Sequence, residues 1–227
     1  MKKILILSIA AIFAITLAML NSVRADGEAK PMPSKTDKTK KTDETKKTDK
    51  NKETELDATL DTQKFEFKVI EDIDKFKKSA AKITKPEQAV LHLFNALWMI
   101  EKKGPKTAYK FLKLVLLHES YFYKNGNPNT TCKYLINQLD KRPKILRSYL
   151  GTEMPDYQVS DSSKFEITFL PAKTQKFEKL KRWKIFVQSS GKDFPTPITL
   201  KKVGKTWKIA EFSSICTGVK SKKKNKR

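Results

Sequence analysis

The spacing of apolar residues changes once along this chain, from a helical period to a strand period, and this change limits the possible folds. Between residues 84 and 150, apolar side chains recur every three or four positions, as on the buried face of an α-helix. From residue 164 to residue 209 they alternate with polar side chains, as in a β-strand with one buried face. A chain with helices first and strands afterwards is expected to fold as α+β, with the two kinds of element in separate layers.

Proline and glycine divide the helical half into separate helices, because proline is favoured at the first helical position and glycine just after the last one. We predict helices at 70–81, from Pro86 to Gly104, from Pro105 onward and at 130–140, and a short helical piece after Pro143. In the second half we predict strands at 165–169, 183–187, 198–200 and 206–209, with a tight turn at 203–205. The alternation slips at 210–212, which predicts a β-bulge there. The expected fold is therefore N-terminal helices packed on an antiparallel sheet of about four strands.

The first 25 residues have the features of a secretory signal peptide. Two lysines precede an apolar run, Ile4–Leu20, and small residues at 23 and 25 predict cleavage after Ala25. The mature protein would then be periplasmic or extracellular. The alternative is an uncleaved signal that anchors the chain in a membrane, although a run of 17 residues is at the short end for a spanning helix.

Residues 26–63 contain three similar hexads, KTDKTK, KTDETK and KTDKNK, and no periodic apolar pattern. Such a segment cannot bury enough apolar surface to offset the entropy of ordering, so we predict a disordered linker. The linker has nine lysines and ten acidic residues, so it does not carry the positive charge of the chain. The predicted domain organisation is a signal peptide at 1–25, this linker at 26–63, an α+β domain at 64–219 and a basic disordered tail at 220–227.

The formal net charge of +23 belongs to the C-terminal part of the chain, since residues 64–227 hold 36 basic and 15 acidic side chains. Such a field attracts polyanions, and for an exported protein these are anionic envelope polymers or lipid head groups rather than a specific nucleic acid. The predicted contacts are the basic side chains of the tail: Lys220, Lys222, Lys223, Lys224, Lys226 and Arg227. The alternative is a solubilising surface, because lysines are spread evenly along the domain.

Three stretches of the domain resemble an uncharacterised bacterial domain family that carries "RSYF", "SSG.DSPRPI.L" and "W...EFSSL..G" motifs. They are TKPEQAVLHLFNAL at 84–97, RPKILRSYLG at 142–151 and VQSSGKDFPTPITLKKVGKTWKIAEFSSICTGV at 187–219. This chain departs from the motifs at Thr196 and Cys216. Because that family has no established activity, the resemblance implies a domain boundary and no catalytic role.

The order of elements also resembles the cone-shaped fold of nuclear transport factor two and the SnoaL-like proteins. That resemblance implies a curved sheet with a pocket between the sheet and the long helices. It suggests His118, Tyr121, Tyr123, Tyr157 and Trp183 as ligand-binding residues, and the alternative is that these side chains are ordinary core and surface. An isomerase or cyclase of this fold would use His118 or Glu119 as a base.

Few other histidine and cysteine residues could bind a metal or form a disulfide. Two histidines and two cysteines are too few for a three-His or four-Cys metal centre, so we predict no metal and no cofactor. His92 lies between leucines in the middle of a helix and is interpreted as structural. Export would permit a disulfide between Cys132 and Cys216, and two buried free thiols are the alternative. The sequence favours an exported, non-catalytic ligand- or partner-binding module over an envelope-associated polyanion binder or an isomerase or cyclase.

Overall fold

A computed structural model describes residues 61–220. The predicted signal peptide, all but the last residues of the predicted linker, and the tail after Lys220 lie outside the described residues. The helices are α1 (Ile73–Ala80), α2 (Pro86–Lys103), α3 (Pro105–Val115), α4 (His118–Tyr121), α5 (Thr130–Lys141) and α6 (Pro143–Arg147). The strands are β1 (Gln63–Lys68), β2 (Lys164–Phe169), β3 (Gln175–Phe177), β4 (Arg182–Gln188), β5 (Thr196–Val203) and β6 (Thr206–Glu211). The predicted α+β class is confirmed.

The strands form one curled, half-barrel antiparallel sheet in the order β1-β2-β4-β5-β6. Strand β3 lies beside β2 on the same edge of β4: it pairs with the first half of β4, whereas β2 pairs with the last residues of β4. The described sheet therefore has six strands where about four were predicted. The two additional strands are β1, whose Phe65 and Phe67 are only half-buried, and β3, which is three residues long.

The predicted bulge is present in β6. Thr199 of β5 pairs with Glu211, whereas the next residue, Leu200, pairs with Ile209, so Ala210 is the extra residue. Beyond β6, the backbone N–H of Leu117 donates to the carbonyl of Ile209 at 2.7 Å. At this one position, the segment between α3 and α4 pairs with the outer edge of β6, the last strand of the sheet.

The helix α2 is the centre of the helical layer. It packs against α3, α5 and α6 and against β6. Eleven of its eighteen residues are buried, as expected for a helix that is apolar on most of its circumference. Gly104 ends it with φ at 79°, a conformation that is accessible to glycine and allows α3 to begin at once with Pro105. The core lies between this layer and the face of the sheet that carries Ile167, Ile185, Ile198 and Ile209.

Candidate functional site

Near the C-terminal end of α2, two buried polar atoms have no hydrogen-bond partner within residues 61–220. Among the described residues, the indole Nε1 of Trp98 and the carboxylate Oε1 of Glu101 have no hydrogen-bond partner. Trp98 is 4% exposed, and its ring packs edge-on against Phe165 with the ring centroids 4.9 Å apart. The two residues are three positions apart and therefore neighbours on one face of the helix. A donor and an acceptor without partners thus belong to neighbouring side chains of one helix face.

The second oxygen of Glu101 is held by α6. Nε and Nη2 of Arg147 both donate to Glu101 Oε2, at 2.9 and 2.7 Å. The Glu101 side chain is 14% exposed and that of Arg147 is 33% exposed, so the ion pair is mostly removed from water. Because both guanidinium contacts go to one oxygen, Oε1 keeps its full capacity to accept a hydrogen bond.

A cavity of about 470 Å³ borders this cluster. Its lining includes Trp98, the basic side chains of Lys144 and Arg147, and Asp156, together with Gln158, Val159 and Ser162. Lys144 Nζ lies 3.6 Å from Asp156 Oδ1, so the cations are balanced by Asp156 and by Glu101. The volume is within the range typical of small-molecule sites. Glu101 is not one of the lining residues and adjoins the space through its partner Arg147. We call this space the Trp98 cavity.

Leaving buried polar atoms without partners is costly. An unsatisfied buried donor or acceptor costs about 1–3 kcal/mol relative to the same atom in water. Native proteins therefore pair nearly all such atoms with protein, ordered water or a ligand. In the Trp98 cavity a solute would lie next to Trp98 and to Arg147, the ion-pair partner of Glu101.

A second cavity, of about 210 Å³, lies beside the N-terminal half of α2, and its Ser79, His92 and Asn95 side chains have hydrogen-bond partners. His92 Nδ1 donates to the carbonyl of Gln88 at 2.7 Å, because a carbonyl oxygen can only accept. The other ring nitrogen, Nε2, therefore accepts from the Ser79 hydroxyl at 2.9 Å. Burial lowers the pKa of His92 below 6.5, which favours this neutral form. These contacts agree with the interpretation of His92 as structural.

A third cavity, of about 300 Å³, lies beside the Trp98 cavity. The two share Gln158 and Val159, which belong to the segment between α6 and β2. The third cavity also contacts the end of β1 through Glu66 and the start of β2 through Lys164. The segment 152–162 therefore borders both spaces and would be the part of the chain that a solute contacts opposite α2.

The stretches that carry the family resemblance contact each other in the structure. Ser148 Oγ and Ser189 Oγ are 2.7 Å apart, and Tyr149 OH and Thr196 Oγ1 are also 2.7 Å apart. Lys192 Nζ donates to the carbonyl of Ser214 at 2.7 Å, and burial lowers the pKa of Lys192 to about 8. These polar groups have partners, so the network joins the helical layer to the sheet and is a structural feature.

The five ligand-binding residues suggested by the cone-shaped resemblance do not line any of these three cavities. The ring of His118 is exposed and stacks on Phe122, with centroids 5.6 Å apart, and the adjacent Glu119 is also exposed. Tyr121 is buried against Phe212, and half of Tyr123 is exposed.

Tyr157 and Trp183 lie elsewhere. The hydroxyl of Tyr157 donates to the carbonyl of Lys220 at 3.1 Å, and Trp183 packs against Trp207, with centroids 5.3 Å apart. The structure therefore does not gather the five residues into one site, and a ligand-binding role for them stays a prediction. Sequence reasoning missed Trp98, Glu101 and Arg147. The available indication was that Arg147 lies in one of the stretches that resemble the family.

The other predicted sites also stay predictions. Cys132 and Cys216 are buried free thiols, on α5 and on the 3-10 turn Ser213–Cys216 that packs against it, and burial raises the pKa of each to about 12. Of the predicted polyanion contacts, only Lys220 is described, and its Nζ pairs with Asp193. Within residues 61–220, no cluster of three or more His, Cys, Asp or Glu side chains is arranged to hold a metal ion.

Comparison with known proteins assigns the chain to a family. No curated protein and no solved structure gives a significant match to the chain. No helix within the described part of the chain is long and apolar enough to cross a membrane. A protein-family comparison matches residues 68–223, which is more than half of the chain and includes the Trp98 cavity, to the family described as "Domain of unknown function (DUF6935)". The chain belongs to this family.

Proposed function

We propose that the domain is a non-catalytic binding module that holds a small, neutral, polyhydroxylated solute, such as a sugar, in the Trp98 cavity. The observation that carries the proposal is the buried, unpartnered Nε1 of Trp98 at a cavity of about 470 Å³, with the unpartnered Oε1 of Glu101 on the neighbouring side chain of α2. A sugar hydroxyl both donates and accepts hydrogen bonds. Neighbouring hydroxyls of one solute can therefore accept from Trp98 Nε1 and donate to Glu101 Oε1.

The charges around the cavity support a neutral ligand. Arg147 is neutralised by Glu101, and Lys144 by Asp156. A strongly anionic solute would have to compete with these carboxylates, and a cation would have to compete with the two basic side chains. A neutral solute disturbs neither ion pair and uses only the atoms that remain free.

Thermal unfolding of the purified full chain with a panel of sugars tests this function. The panel contains glucose, N-acetylglucosamine and the carboxylated sugar glucuronate. At a concentration about ten times Kd, a neutral sugar should raise Tm by about 3–6 °C. Trp98→Phe removes the indole donor and should abolish the shift, whereas the matched control His92→Gln, in the second cavity, should keep it. No shift with any neutral sugar, or an equal shift in Trp98→Phe, would contradict the proposal.

We also propose that the protein is exported, on the basis of its first 25 residues. The two lysines, the apolar run Ile4–Leu20 and the small residues before Asp26 support cleavage after Ala25. N-terminal sequencing of the protein recovered from the exported fraction should begin at Asp26. Recovery of an intact Met1 terminus in the membrane pellet would support the anchored alternative instead.

A further inference from the structure

One end of the sheet brings two turns together. The turn between β3 and β4 lies beside the hairpin between β5 and β6, because the backbone N–H of Lys202 donates to the carbonyl of Lys181 at 2.9 Å. In the next residue pair of these strands, Arg182 of β4 lies directly opposite Lys201 of β5. We call residues 176–182 and 201–205 the hairpin end.

The hairpin end is strongly basic. It contains one acidic residue, Glu178, and seven basic residues: Lys176, Lys179, Lys181, Arg182, Lys201, Lys202 and Lys205. Within residues 61–220, Lys201 is the one member of this group that forms an ion pair, with Glu119 at 3.5 Å. The other six cations are free to contact an anionic partner.

The hairpin end also contains exposed apolar side chains. Phe177 is 41% exposed, Leu180 is 62% exposed and Val203 is 44% exposed. Leu180 lies in the 3-10 turn between β3 and β4, and Val203 is at the start of the neighbouring hairpin. Exposed apolar side chains next to several lysines are typical of protein surfaces that bind membranes.

Two tryptophans in the strands next to the hairpin end contact each other and two of its lysines. The rings of Trp183 and Trp207 lie 5.3 Å apart. Lys176 Nζ is 4.6 Å from the centroid of the Trp183 ring, and Lys202 Nζ is 5.9 Å from that of Trp207. These cation–π contacts hold the Lys176 and Lys202 side chains in position before any partner binds.

The lysine content of the whole chain does not explain this arrangement, as the opposite end of the same strands shows. Residues 188–196, which join β4 to β5, hold one lysine and one aspartate. That lysine, Lys192, is used internally, in contacts with Ser214 and Thr217. Phe194 in this loop is 81% exposed but has no cluster of basic residues around it in the sequence. Among the described residues, basic and exposed apolar side chains are therefore combined at the hairpin end, whereas Lys192 and Lys220 at the opposite end are engaged with Ser214, Thr217 and Asp193.

We propose that the hairpin end docks on the surface of an anionic lipid bilayer. The lysines contact the lipid phosphates, while Leu180 and Val203 enter the boundary between head groups and acyl chains. A polyanion such as nucleic acid would satisfy the lysines but offers no apolar phase for these two side chains. The combination of charge and projecting apolar groups therefore favours a lipid surface.

Lysine acetylation of the full chain, followed by mass spectrometry, tests which surface meets the lipid. The probes are phosphatidylcholine vesicles with and without an equal share of phosphatidylglycerol. The anionic vesicles should slow acetylation of Lys179, Lys181 and Lys205 several-fold, and the exposed α1 lysines Lys77 and Lys78 should react as before. Equal rates at both sets of lysines, or protection by heparin but not by vesicles, would overturn the proposal.

Matched variants in a vesicle flotation assay measure the two contributions. Lys179→Gln should lower the partition coefficient about fivefold, and added salt should reduce this difference. Leu180→Ser should lower it about tenfold with little dependence on salt. Phe194→Ser, a change of similar chemistry at the opposite end of the strands, should leave binding unchanged. Equal binding of parent, Lys179→Gln and Leu180→Ser would also overturn the proposal.

Discussion

The helix α2 borders two polar clusters that differ in one respect. Near its N-terminal half, both ring nitrogens of His92 have partners, and the Asn95 side chain is paired with the backbone of Ile70. Near its C-terminal end, Trp98 Nε1 and Glu101 Oε1 have none among the described residues.

Both clusters border a cavity, so a cavity alone does not distinguish a binding site from an ordinary irregularity of packing. The distinguishing feature is whether the polar atoms already have partners. A paired cluster stabilises the fold by itself, whereas an unpaired one lowers stability until something binds. Changes in the two clusters should therefore have different effects on stability and on binding.

The largest effect is expected from Arg147→Met. This change leaves the mostly buried carboxylate of Glu101 without its cation, and we expect a loss of about 2 kcal/mol of unfolding free energy. The loss is below that of a fully buried pair because Arg147 is one-third exposed. Urea unfolding of the full chain measures it.

Lys144→Met is the matched control on the same helix. Lys144 and Asp156 are both more than half exposed, so this change should cost less than about 0.5 kcal/mol. Equal losses in the two variants would show that the Glu101–Arg147 pair is not a buried interaction and would weaken the case for the Trp98 cavity.

A smaller effect is expected from Ser79→Ala. The change removes the donor to His92 Nε2, and we expect a loss of about 1 kcal/mol with no change in sugar binding. Thr206→Val is the control, since the exposed contact of its hydroxyl with the carbonyl of Val203 should contribute less than about 0.5 kcal/mol. If Ser79→Ala abolished sugar binding, the roles assigned to the two clusters would be reversed.

The smallest effect concerns pH. Burial holds the folded-state pKa of His92 below 6.5, so below pH 6.5 the unfolded chain binds more protons at this residue than the folded chain. The stability contributed by the neutral ring is fully present above pH 6.5. It is lost as the pH falls from 6.5 to the folded-state pKa. His92→Gln should flatten this part of the stability profile, and an unchanged slope would indicate that His92 is not the titrating group.

Much of the fold could be predicted because the spacing of apolar residues and the positions of proline and glycine indicate the same element boundaries. Pro86, Gly104 and Pro105 lie at the ends of α2 and α3, and the slip in alternation marks Ala210 as the bulged residue. Strand β1 was missed although Phe65 and Phe67 alternate with charged residues, because it directly follows the lysine-rich linker. Strand β3 is too short to have a recognisable period.

The candidate site could not be predicted in the same way. Trp98 fits the apolar pattern of α2, so sequence alone assigns it to the core, where its ring does lie. Whether Nε1 of Trp98 has a hydrogen-bond partner depends on which groups of α6 and of the segment 152–162 lie near it. The same holds for Glu101, whose partner Arg147 is 46 positions away. Hydrogen-bond satisfaction is a property of the tertiary structure, and residue spacing does not reveal it.

The most direct test of a solute in the Trp98 cavity observes the indole N–H itself. The chain has three tryptophans, so ¹⁵N-labelled protein should give three indole signals, and Trp98→Phe identifies the one from Trp98. On titration with a neutral sugar that raises Tm, the Trp98 signal should move downfield and saturate, because its N–H gains an acceptor. The signals of Trp183 and Trp207 should stay in place. An unmoved Trp98 signal at saturating sugar would contradict the proposed binding site.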